Sequence, residues 1–500
     1  MSKCYEEYPP IIVKKINEVY AKIECGKSQA LELRQFISFF APNYIFHPKF
    51  KAGLWDGKLY LFDISSHLLP IGALTKFIDF CKAFKYEYAF NFSVEELFNN
   101  VPREGFERAL ECIFPTDCDY YPRDYQEEAI YRALTNKRGV LQLATGSGKS
   151  LVQYALVRYM IAENKKVILV VPSISLVEQM YSDFKEYNWT NIDKHVSLLY
   201  GGKEIDRNKE VLITTWQSIY SKDVSFFNDF DGLIIDEAHQ SSSLSLQNIC
   251  KKCVNASYRI GLTGTLPKEE ATKWTIYGYL GPTLYELKSK ELIDRGVLSK
   301  IEIKNVIAKY PEEMCHSYSE YCIEQKTIID YKRRFKVLDH IIEKLDEKDN
   351  TLVLVQRIEY LKHIVDYLLD NHQKYEILVI YGNTAPEERE KIRKSIDVKD
   401  NVILVCTYGT MSTGVSIKKI NNIVFFESYK SEIKVLQSIG RGLRKHPDKE
   451  KVVLYDVIDD MRYDNGSRVV SNYVYRHWEK FRKVYYKEQE FETKTEEVYL

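Results

Sequence analysis

The sequence predicts an α/β protein with two tandem parallel-sheet domains preceded by a small α+β N-terminal domain. Short runs of Val, Ile and Leu alternate with segments of helical periodicity twice along the chain, which is typical of parallel sheets covered by helices. The first 112 residues lack that alternation and are rich in aromatic residues. The predicted domains are 1–112, 113–290 and 291–460, followed by a C-terminal helical tail over 461–500.

Composition indicates a folded protein without a uniformly basic surface. Lys and Arg number 71, as do Asp and Glu, so the formal net charge is zero. A nucleic-acid surface would therefore be a local patch. The ten cysteines form no dense framework, no apolar run reaches membrane-spanning length, and the N-terminus does not resemble a secretion signal. We expect reduced thiols and a cytoplasmic protein without a membrane partner.

The N-terminal domain combines aromatic residues with lysines. Residues 31–40 have helical spacing, and residues 69–84 predict a turn and a helix. Apolar residues alternate over 44–63 around Asp56-Gly57, which predicts a β-hairpin with its turn at that dipeptide. The alternative is that the aromatic residues are simply the core of a small domain. The candidate contacts to a nucleic-acid backbone are Lys49, Lys51, Trp55 and Lys58.

The predicted strands are short and buried. In the first parallel sheet they span 140–143, 167–171, 211–215, 233–235 and 258–262. In the second sheet they span 352–355, 377–381, 402–407, 423–426 and 452–455. Functional loops of such sheets lie at the carboxyl ends of the strands.

A glycine-rich turn follows the first of these strands and opens a helix. It reads Ala144-Thr145-Gly146-Ser147-Gly148-Lys149-Ser150. Glycines let successive backbone N–H groups point at phosphate oxygens, Lys149 meets the outer phosphates, and the Ser150 hydroxyl is suited to ligate Mg²⁺. The turn therefore predicts an ATP site.

A pair of carboxylates at the end of another buried strand completes this chemistry. The sequence there is Asp236-Glu237-Ala238-His239. Asp236 is expected to hold Mg²⁺ together with Ser150, and Glu237 to orient and deprotonate the attacking water. Upstream, Arg123 and Gln126 lie at the end of a loop, just before an amphipathic helix, and the Gln126 amide offers a donor and an acceptor to an adenine edge.

Other strand ends carry candidate nucleic-acid contacts. A helix N-terminus and small hydroxyl side chains suit the phosphates of one DNA strand. In the first sheet the candidates are Pro172, Ser173, Thr215, Trp216 and Gln217, and in the second they are Thr407 and Thr413.

The second half has no phosphate loop but carries the segment Gln437-Ser438-Ile439-Gly440-Arg441-Gly442-Leu443-Arg444. Two arginines three positions apart share one helix face. They are candidates for neutralising charge on the γ-phosphate, the arginine-finger role, with Gln437 near the attacking water. The alternative is a helix whose arginines form surface salt bridges.

Together and in this order, these motifs resemble the superfamily 2 helicases. The resemblance includes Thr263-Gly264-Thr265 and Thr413-Gly414, and it implies two RecA-like domains that use ATP and Mg²⁺, with Gly414 at the nucleotide. A departure is Ser416, where many helicases have Asp.

The N-terminal run from Tyr44 to Lys58, with Leu68-Leu69-Pro70 after it, is similar to the UvsW-like phage recombination helicases. That resemblance implies an N-terminal domain that binds duplex nucleic acid. It also implies action on branched DNA, namely Holliday junctions, stalled forks, D-loops and R-loops, the last including RNA. We expect a monomer in solution, in the host cytoplasm if phage-encoded, with roles in DNA recombination, repair and replication.

Three alternatives stay open at this stage. One is an RNA helicase of the D-E-A-H type, although such enzymes usually carry long C-terminal accessory domains. Another is the motor subunit of a restriction system, whose nuclease resides elsewhere. The third, a binder with a degenerate motor, is disfavoured by intact Lys149, Asp236 and Glu237.

Overall fold

The computed structural model describes residues 9–116, 118–382, 384–412, 417–428, 439–440, 443, 445–447 and 449–500. The chain divides into two compact units. The first unit comprises Met1–Leu143 and Gly148–Leu287, and the second comprises Lys288–Leu500 with the short segment Ala144–Ser147.

The N-terminal region of the first unit is a small α+β structure around an apolar core. Its strands are β1 (Ile11–Lys15), β2 (Tyr20–Glu24), β3 (Ser38–Phe40), β4 (Lys58–Tyr60), β5 (Leu68–Pro70) and β6 (Tyr88–Phe90). Four of them form a sheet in the order β5-β2-β1-β6, while β3 pairs only with β4. The helices span Lys27–Phe36, Pro48–Lys51, Leu74–Phe84 and Arg103–Ile113.

The hairpin predicted over residues 44–63 is wrong in its first strand. Tyr44–Phe46 forms a 3-10 turn and Pro48–Lys51 a single helical turn, so the partner of β4 is the earlier strand β3. Proline fits the first position of a helix, which favours helix over strand here. The turn at Asp56-Gly57 is present, with the Asp56 carboxylate accepting the Lys58 N–H at 3.0 Å.

The remainder of the first unit holds a seven-stranded sheet. Its strands are β7 (Arg138–Leu143), β8 (Val167–Val171), β9 (Val196–Leu199), β10 (Val211–Thr215), β11 (Gly232–Asp236), β12 (Tyr258–Thr263) and β13 (Thr283–Leu287). All pairs are parallel, in the order β13-β7-β12-β11-β8-β10-β9. The five predicted strands are confirmed, whereas the two edge strands β9 and β13 were not predicted from the sequence. The helices span Asp124–Asn136, Lys149–Ala162, Ile174–Glu186, Ile192–His195, Trp216–Ile219, Val224–Phe227, Leu244–Lys252 and Glu270–Leu280.

The N-terminal region packs directly against this sheet and its last helix. The Arg138 guanidinium at the start of β7 lies 2.9 Å from a Glu18 carboxylate oxygen, and burial lowers the pKa of Arg138 to about 10. A side chain at Gly72 would meet the Tyr277 carbonyl oxygen at 1.9 Å, so only glycine permits this close approach. The N-terminal region is therefore a fixed part of the first unit.

The second unit contains another seven-stranded parallel sheet. Six of its strands are β14 (Lys300–Lys309), β15 (Thr351–Val355), β16 (Glu376–Ile380), β17 (Val402–Thr407), β18 (Asn422–Phe425) and β19 (Lys451–Asp460). Next along the chain, β20 (Tyr463–Asp464) and β21 (Val469–Val470) form a separate two-stranded ribbon. The seventh strand of the sheet is β22 (Glu492–Tyr499). The sheet order is β16-β17-β15-β18-β19-β14-β22. The helices span Ser289–Asp294, Tyr321–Asp330, Phe335–Ile342, Ile358–Asn371, Pro386–Val398, Tyr408–Ser412, Tyr473–His477, Trp478–Arg482 (π-helical) and Lys483–Glu488. The five predicted strands are confirmed here too.

The tail predicted as helical over 461–500 is helical only in its middle. Its last segment is β22, which pairs in parallel with β14 at the edge of the sheet. In the helical part Trp478, Tyr486 and Arg482 are buried, and the Arg482 guanidinium lies 2.9 Å from Asp456 on β19. The helical part of the tail therefore packs on the second core through Trp478, Arg482 and Tyr486, while Phe481 and Tyr499 are exposed.

Glu302 on β14 links the two strands that flank it. Its carboxylate oxygens lie 2.7 Å from Lys451 on β19 and 2.8 Å from Lys494 on β22, and these hydrogen bonds lower the pKa of Glu302 to about 2.

We expect Glu302→Gln to lower the melting temperature at pH 7 by about 1 °C, because both lysines are largely exposed. The stabilisation by Glu302 is present above its unfolded pKa of about 4.3 and disappears as pH falls through about 2. Melting curves at pH 7 and pH 2.5 check this, and an equal difference at both values would contradict it. Glu492→Gln is the matched control, because Glu492 is exposed and its ion pair with Lys494 is longer, at 3.6 Å.

Candidate nucleotide and nucleic-acid sites

The glycine-rich turn leads from β7 into the helix Lys149–Ala162 with the geometry of a phosphate cradle. Gly146 and Gly148 have φ angles of +86° and +84°, a region that favours glycine. A side chain at Gly148 would meet the Gln126 amide nitrogen at 2.3 Å. The Lys149 ammonium donates to the Leu143 carbonyl at 3.1 Å, which holds this cation at the base of the turn.

The two carboxylates differ in their surroundings. Asp236 ends β11 and accepts a hydrogen bond from the buried Gln153 amide at 3.0 Å. Burial and the neighbouring Glu237 charge raise the pKa of Asp236 to about 6, while the Lys149 charge acts in the opposite direction. A cation bound at this carboxylate would favour its ionised form.

Glu237 adopts a left-handed backbone conformation, with φ of +52°. Its carboxylate lies 3.3 Å from the His239 ring, whose same Nδ1 atom lies 3.0 Å from the Thr263 hydroxyl. The acidic box is thereby connected to the Thr263-Gly264-Thr265 segment after β12.

The predicted adenine and metal residues already have partners within the first unit. The Gln126 amide accepts the Arg123 N–H at 2.8 Å and donates to the Gly148 carbonyl at 3.4 Å, so it braces the turn. The Ser150 hydroxyl lies 2.7 Å from the Tyr187 hydroxyl, whose pKa is raised by burial.

These side chains fit a nucleotide and a divalent cation. The turn offers curled backbone and a tethered ammonium for phosphates, and Ser150 and Asp236 offer the oxygen ligands that Mg²⁺ prefers. Glu237 stands next to Asp236 and supplies a carboxylate for proton transfer.

The predicted strand-end contacts to nucleic acid differ in exposure. Gln217 is exposed, and the Ser173 hydroxyl accepts the Leu176 N–H at the start of its helix. Thr215 is buried with its hydroxyl 2.9 Å from Ser218, while Pro172 and Trp216 are half-buried. Thr407 is buried, with its hydroxyl 2.7 Å from Thr410. Residues Thr413, Gly414, Gln437, Arg441 and Arg444 lie outside the described residues.

Residues 40–58 form a compact knob on the N-terminal region. Tyr44 lies at its centre, stacked on Phe40 at 4.6 Å and edge-on to Phe50 at 4.9 Å. The Trp55 indole is half-buried and donates to the Lys58 carbonyl at 2.9 Å, so it has a structural contact beside its predicted role.

The exposed apolar residues of the knob are ones that the sequence analysis missed. Phe46 is 66% exposed and Leu54 is 80% exposed. Lys49 and Lys51 are exposed beside them, and Lys58 is half-buried over the Phe40 ring at 5.5 Å. Cations around an apolar surface suit a nucleic acid, which offers both phosphates and base faces.

Gln153 and Tyr187 were also missed as partners of the predicted site. Gln153 follows Ser150 by three positions on one helix, a spacing that places both on the same face. Tyr187 lies beyond the next strand and helix, and no motif marks it among the 38 tyrosines of the chain.

Three family models match consecutive parts of the chain. They are "DNA helicase UvsW, N-terminal" over residues 11–91, "Type III restriction enzyme, res subunit" over 119–268, and "Helicase conserved C-terminal domain" over 333–446. The ATP-dependent DNA helicase uvsW of Enterobacteria phage T4 is 30% identical over 449 residues, covering 88% of this chain and 89% of the relative. The chain belongs to the UvsW family of DNA helicases.

Further comparisons agree with membership of the UvsW family. The crystal structure of T4 UvsW matches with a TM-score of 0.52 and 28% identity, covering 98% of this chain and all of that chain. The DNA 3'-5' translocase XPB2 of Sulfurisphaera tokodaii is 28% identical over 74% of this chain and 89% of its own length. The chain is therefore an ATP-hydrolysing enzyme of helicase superfamily 2, and nucleotide use with a divalent metal follows from this membership.

Within the part of the chain that the structure describes, no helix has both the length and the apolar character needed to cross a membrane.

Proposed function

We propose that this UvsW-family enzyme couples ATP hydrolysis to movement along branched DNA, including Holliday junctions, stalled forks, D-loops and R-loops. The observation that carries the proposal is the similarity to T4 UvsW along almost the whole chain, including the N-terminal region. A DNA-bound restriction-modification enzyme and two RNA-bound proteins have a similar fold at 14–16% identity, but the match to the UvsW N-terminal family model favours the DNA recombination enzyme.

At the nucleotide, each residue has a distinct proposed role. The backbone of Ala144–Ser147 with Gly148 and Lys149 holds the phosphates, and Ser150 and Asp236 hold Mg²⁺. When bound, Mg²⁺ neutralises charge on the phosphate oxygens. Glu237 accepts the proton of the attacking water. Arg441 and Arg444, with Gln437 and Gly414, keep their proposed contacts to ATP on the strength of the sequence alone.

Branched DNA makes modest energetic demands on this motor. Separating duplex costs about 1.4 kcal/mol per base-pair step, but branch migration forms one pair for each pair it breaks and is nearly balanced. ATP hydrolysis then chiefly gives the movement its direction. Loops after the strands, with Ser173, Gln217 and Thr407 among their residues, are the proposed contacts to the tracked strand.

The domain boundaries keep their proposed positions at 112, 290 and 460, with the N-terminal domain as a duplex grip. We also propose that the enzyme acts as a monomer in the host cytoplasm. The two alternatives are the motor subunit of a restriction system and an RNA helicase, and the following measurements distinguish them from the proposed function.

The proposal is tested by measuring ATP hydrolysis with single-stranded DNA, duplex DNA, a four-way junction, an R-loop and structured RNA as separate stimulants. We expect the strongest stimulation by the branched DNAs. If only the structured RNA stimulates hydrolysis, the proposal is refuted and the enzyme is an RNA helicase. Equal stimulation by linear duplex and junction would instead indicate a duplex translocase without a preference for branched DNA.

Charge reversal on the knob distinguishes its proposed role in DNA binding from the ATP hydrolysis of the enzyme. We expect the pair Lys49→Glu and Lys51→Glu to weaken junction binding by about tenfold or more, because two phosphate contacts become repulsive. ATP hydrolysis without DNA is unaffected, since the knob lies outside the nucleotide site. Fluorescence anisotropy at two salt concentrations measures the affinity and its reduced salt dependence.

The matched control for that experiment reverses Lys27 and Lys82, which are exposed on other helices of the same N-terminal region. It introduces the same net charge, so it should bind the junction nearly as the parent enzyme does. Equal losses in both double variants would mean that overall charge, and not the knob, determines binding.

A further inference from the structure

The proposed Mg²⁺ ligand Ser150 has a tyrosine as its partner. Its hydroxyl oxygen lies 2.7 Å from the hydroxyl of Tyr187. Tyr187 follows directly after the helix Ile174–Glu186, so a residue remote from the phosphate loop in sequence reaches its metal-binding end. The established motifs of the chain assign it no role.

The Tyr187 ring is held in place by other aromatic side chains. The rings of Tyr120 and Tyr154 lie edge-on to it at centroid distances of 5.0 and 5.5 Å. Tyr154 is itself fully buried, and the Tyr120 hydroxyl donates to Glu186, the neighbour of Tyr187. The Tyr187 hydroxyl is therefore presented to Ser150 from a packed support.

The other proposed Mg²⁺ ligand, Asp236, is also held by a neighbouring side chain. The Gln153 amide donates to Asp236 at 3.0 Å, and Gln153 is fully buried. Ser150 and Gln153 lie on the same helix, so both oxygen ligands are oriented from one helix and its neighbours. Groups that orient the ligands of a metal typically change its affinity by 10–100-fold.

We propose that Tyr187 is a positioning residue that orients the Ser150 hydroxyl toward the divalent cation bound with the nucleotide. In the proposed arrangement the Ser150 hydroxyl donates a hydrogen bond to the phenol oxygen, and this fixes the hydroxyl so that a lone pair of Oγ remains for the cation. A serine without this partner samples other staggered positions and must be ordered when the cation binds. The inference rests on the nucleotide site of the proposed function and extends it to a residue outside the motifs.

Tyr187→Phe tests the proposal, because it removes only the hydroxyl and keeps the packed ring. The affinity of the full chain for a fluorescent ADP is measured in Mg²⁺ and in EDTA. We expect the enhancement of affinity by Mg²⁺ to fall about tenfold, while the affinity in EDTA stays within about twofold of the parent. This readout needs neither hydrolysis nor DNA.

Tyr154→Phe is the matched control. It removes a hydroxyl from the same aromatic cluster, but that hydroxyl accepts from Arg158 at 2.8 Å and does not face Ser150. It should keep the full Mg²⁺ enhancement. Melting temperatures of both variants without ligand report any general loosening of the cluster.

A second variant background tests whether Tyr187 acts through Ser150. In Ser150→Ala, the further change Tyr187→Phe should leave the Mg²⁺ enhancement unchanged, because the partner hydroxyl is already gone. An additional loss there, an unchanged enhancement in Tyr187→Phe alone, or equal losses in Mg²⁺ and EDTA would each overturn the proposal. So would a parent enzyme without Mg²⁺ enhancement.

The outcome is separable from that of the proposed function. A parent enzyme that binds ADP with Mg²⁺ enhancement but is stimulated only by RNA would refute action on branched DNA and leave the Tyr187 proposal standing. Stimulation by junctions together with an unaffected Tyr187→Phe variant would do the reverse.

Discussion

Glu237→Gln is expected to reduce the turnover number for ATP by about 10²–10⁴-fold, the typical contribution of a general base. The amide keeps the size of the side chain but cannot accept the proton of the attacking water. The carboxylate lies 3.3 Å from the same His239 Nδ1 atom that contacts the Thr263 hydroxyl, and the amide oxygen of glutamine can keep this contact, so we expect the neighbouring strand end to keep its structure. Junction affinity should therefore stay within about twofold.

Steady-state hydrolysis with saturating junction DNA measures this effect, and anisotropy measures the affinity. Glu210→Gln is the control, since Glu210 pairs with His195 at 3.1 Å and precedes β10, at the strand end opposite to the catalytic loops. Retained turnover in Glu237→Gln would exclude Glu237 as the base.

Arg334→Met is expected to destabilise the second unit by about 3–5 kcal/mol, because it leaves a buried carboxylate without its cation. Arg334 and Asp459 are each 1% exposed, and the guanidinium donates to both Asp459 oxygens at 2.7 and 3.0 Å. It also donates to the Tyr360 hydroxyl at 2.6 Å and to the Phe426 carbonyl. The arginine thereby ties the helix Phe335–Ile342 to β19.

Calorimetry of the full chain measures this change as a lower midpoint for one transition. Lys399→Met is the control, because its ion pair with Glu376 is exposed on both sides and should contribute less than about 1 kcal/mol. The double change Arg334→Met with Asp459→Leu should be less destabilising than the single one, since no uncompensated charge remains. If it is more destabilising, the pair itself provides net stability.

A strand could be predicted from the sequence where it is buried on both faces, because its residues then form a continuous apolar run. The strand 167–171 is Val-Ile-Leu-Val-Val and was predicted to the residue. The strand β22, Glu-Thr-Lys-Thr-Glu-Glu-Val-Tyr, was not, because it lies at a sheet edge where most of its side chains meet water. Its strand conformation is determined by pairing with β14, which a local pattern does not reveal.

The site divides in the same way. Lys149, Ser150 and Asp236 could be proposed from the sequence because a phosphate cradle needs fixed residue types at short spacing. Tyr187 could not, since its contact to Ser150 depends on how a helix packs across the sheet. The first strand of the hairpin predicted over residues 44–63 is wrong, because Pro48 and the turn before it favour the start of a helix over a strand.

The position of β22 has a kinetic consequence for how the second sheet assembles. It pairs Glu302 with Glu492, about 190 positions apart, whereas β15 and β17 pair residues that lie much closer in sequence. Long loops close slowly, so we expect this edge to form late. Until β22 pairs, the backbone N–H and C=O groups along that edge of β14 are unpaired and can bind a strand of another molecule. We therefore expect the tendency of the partly folded chain to self-associate to depend on how long this edge stays unpaired, more than on the stability of the folded protein.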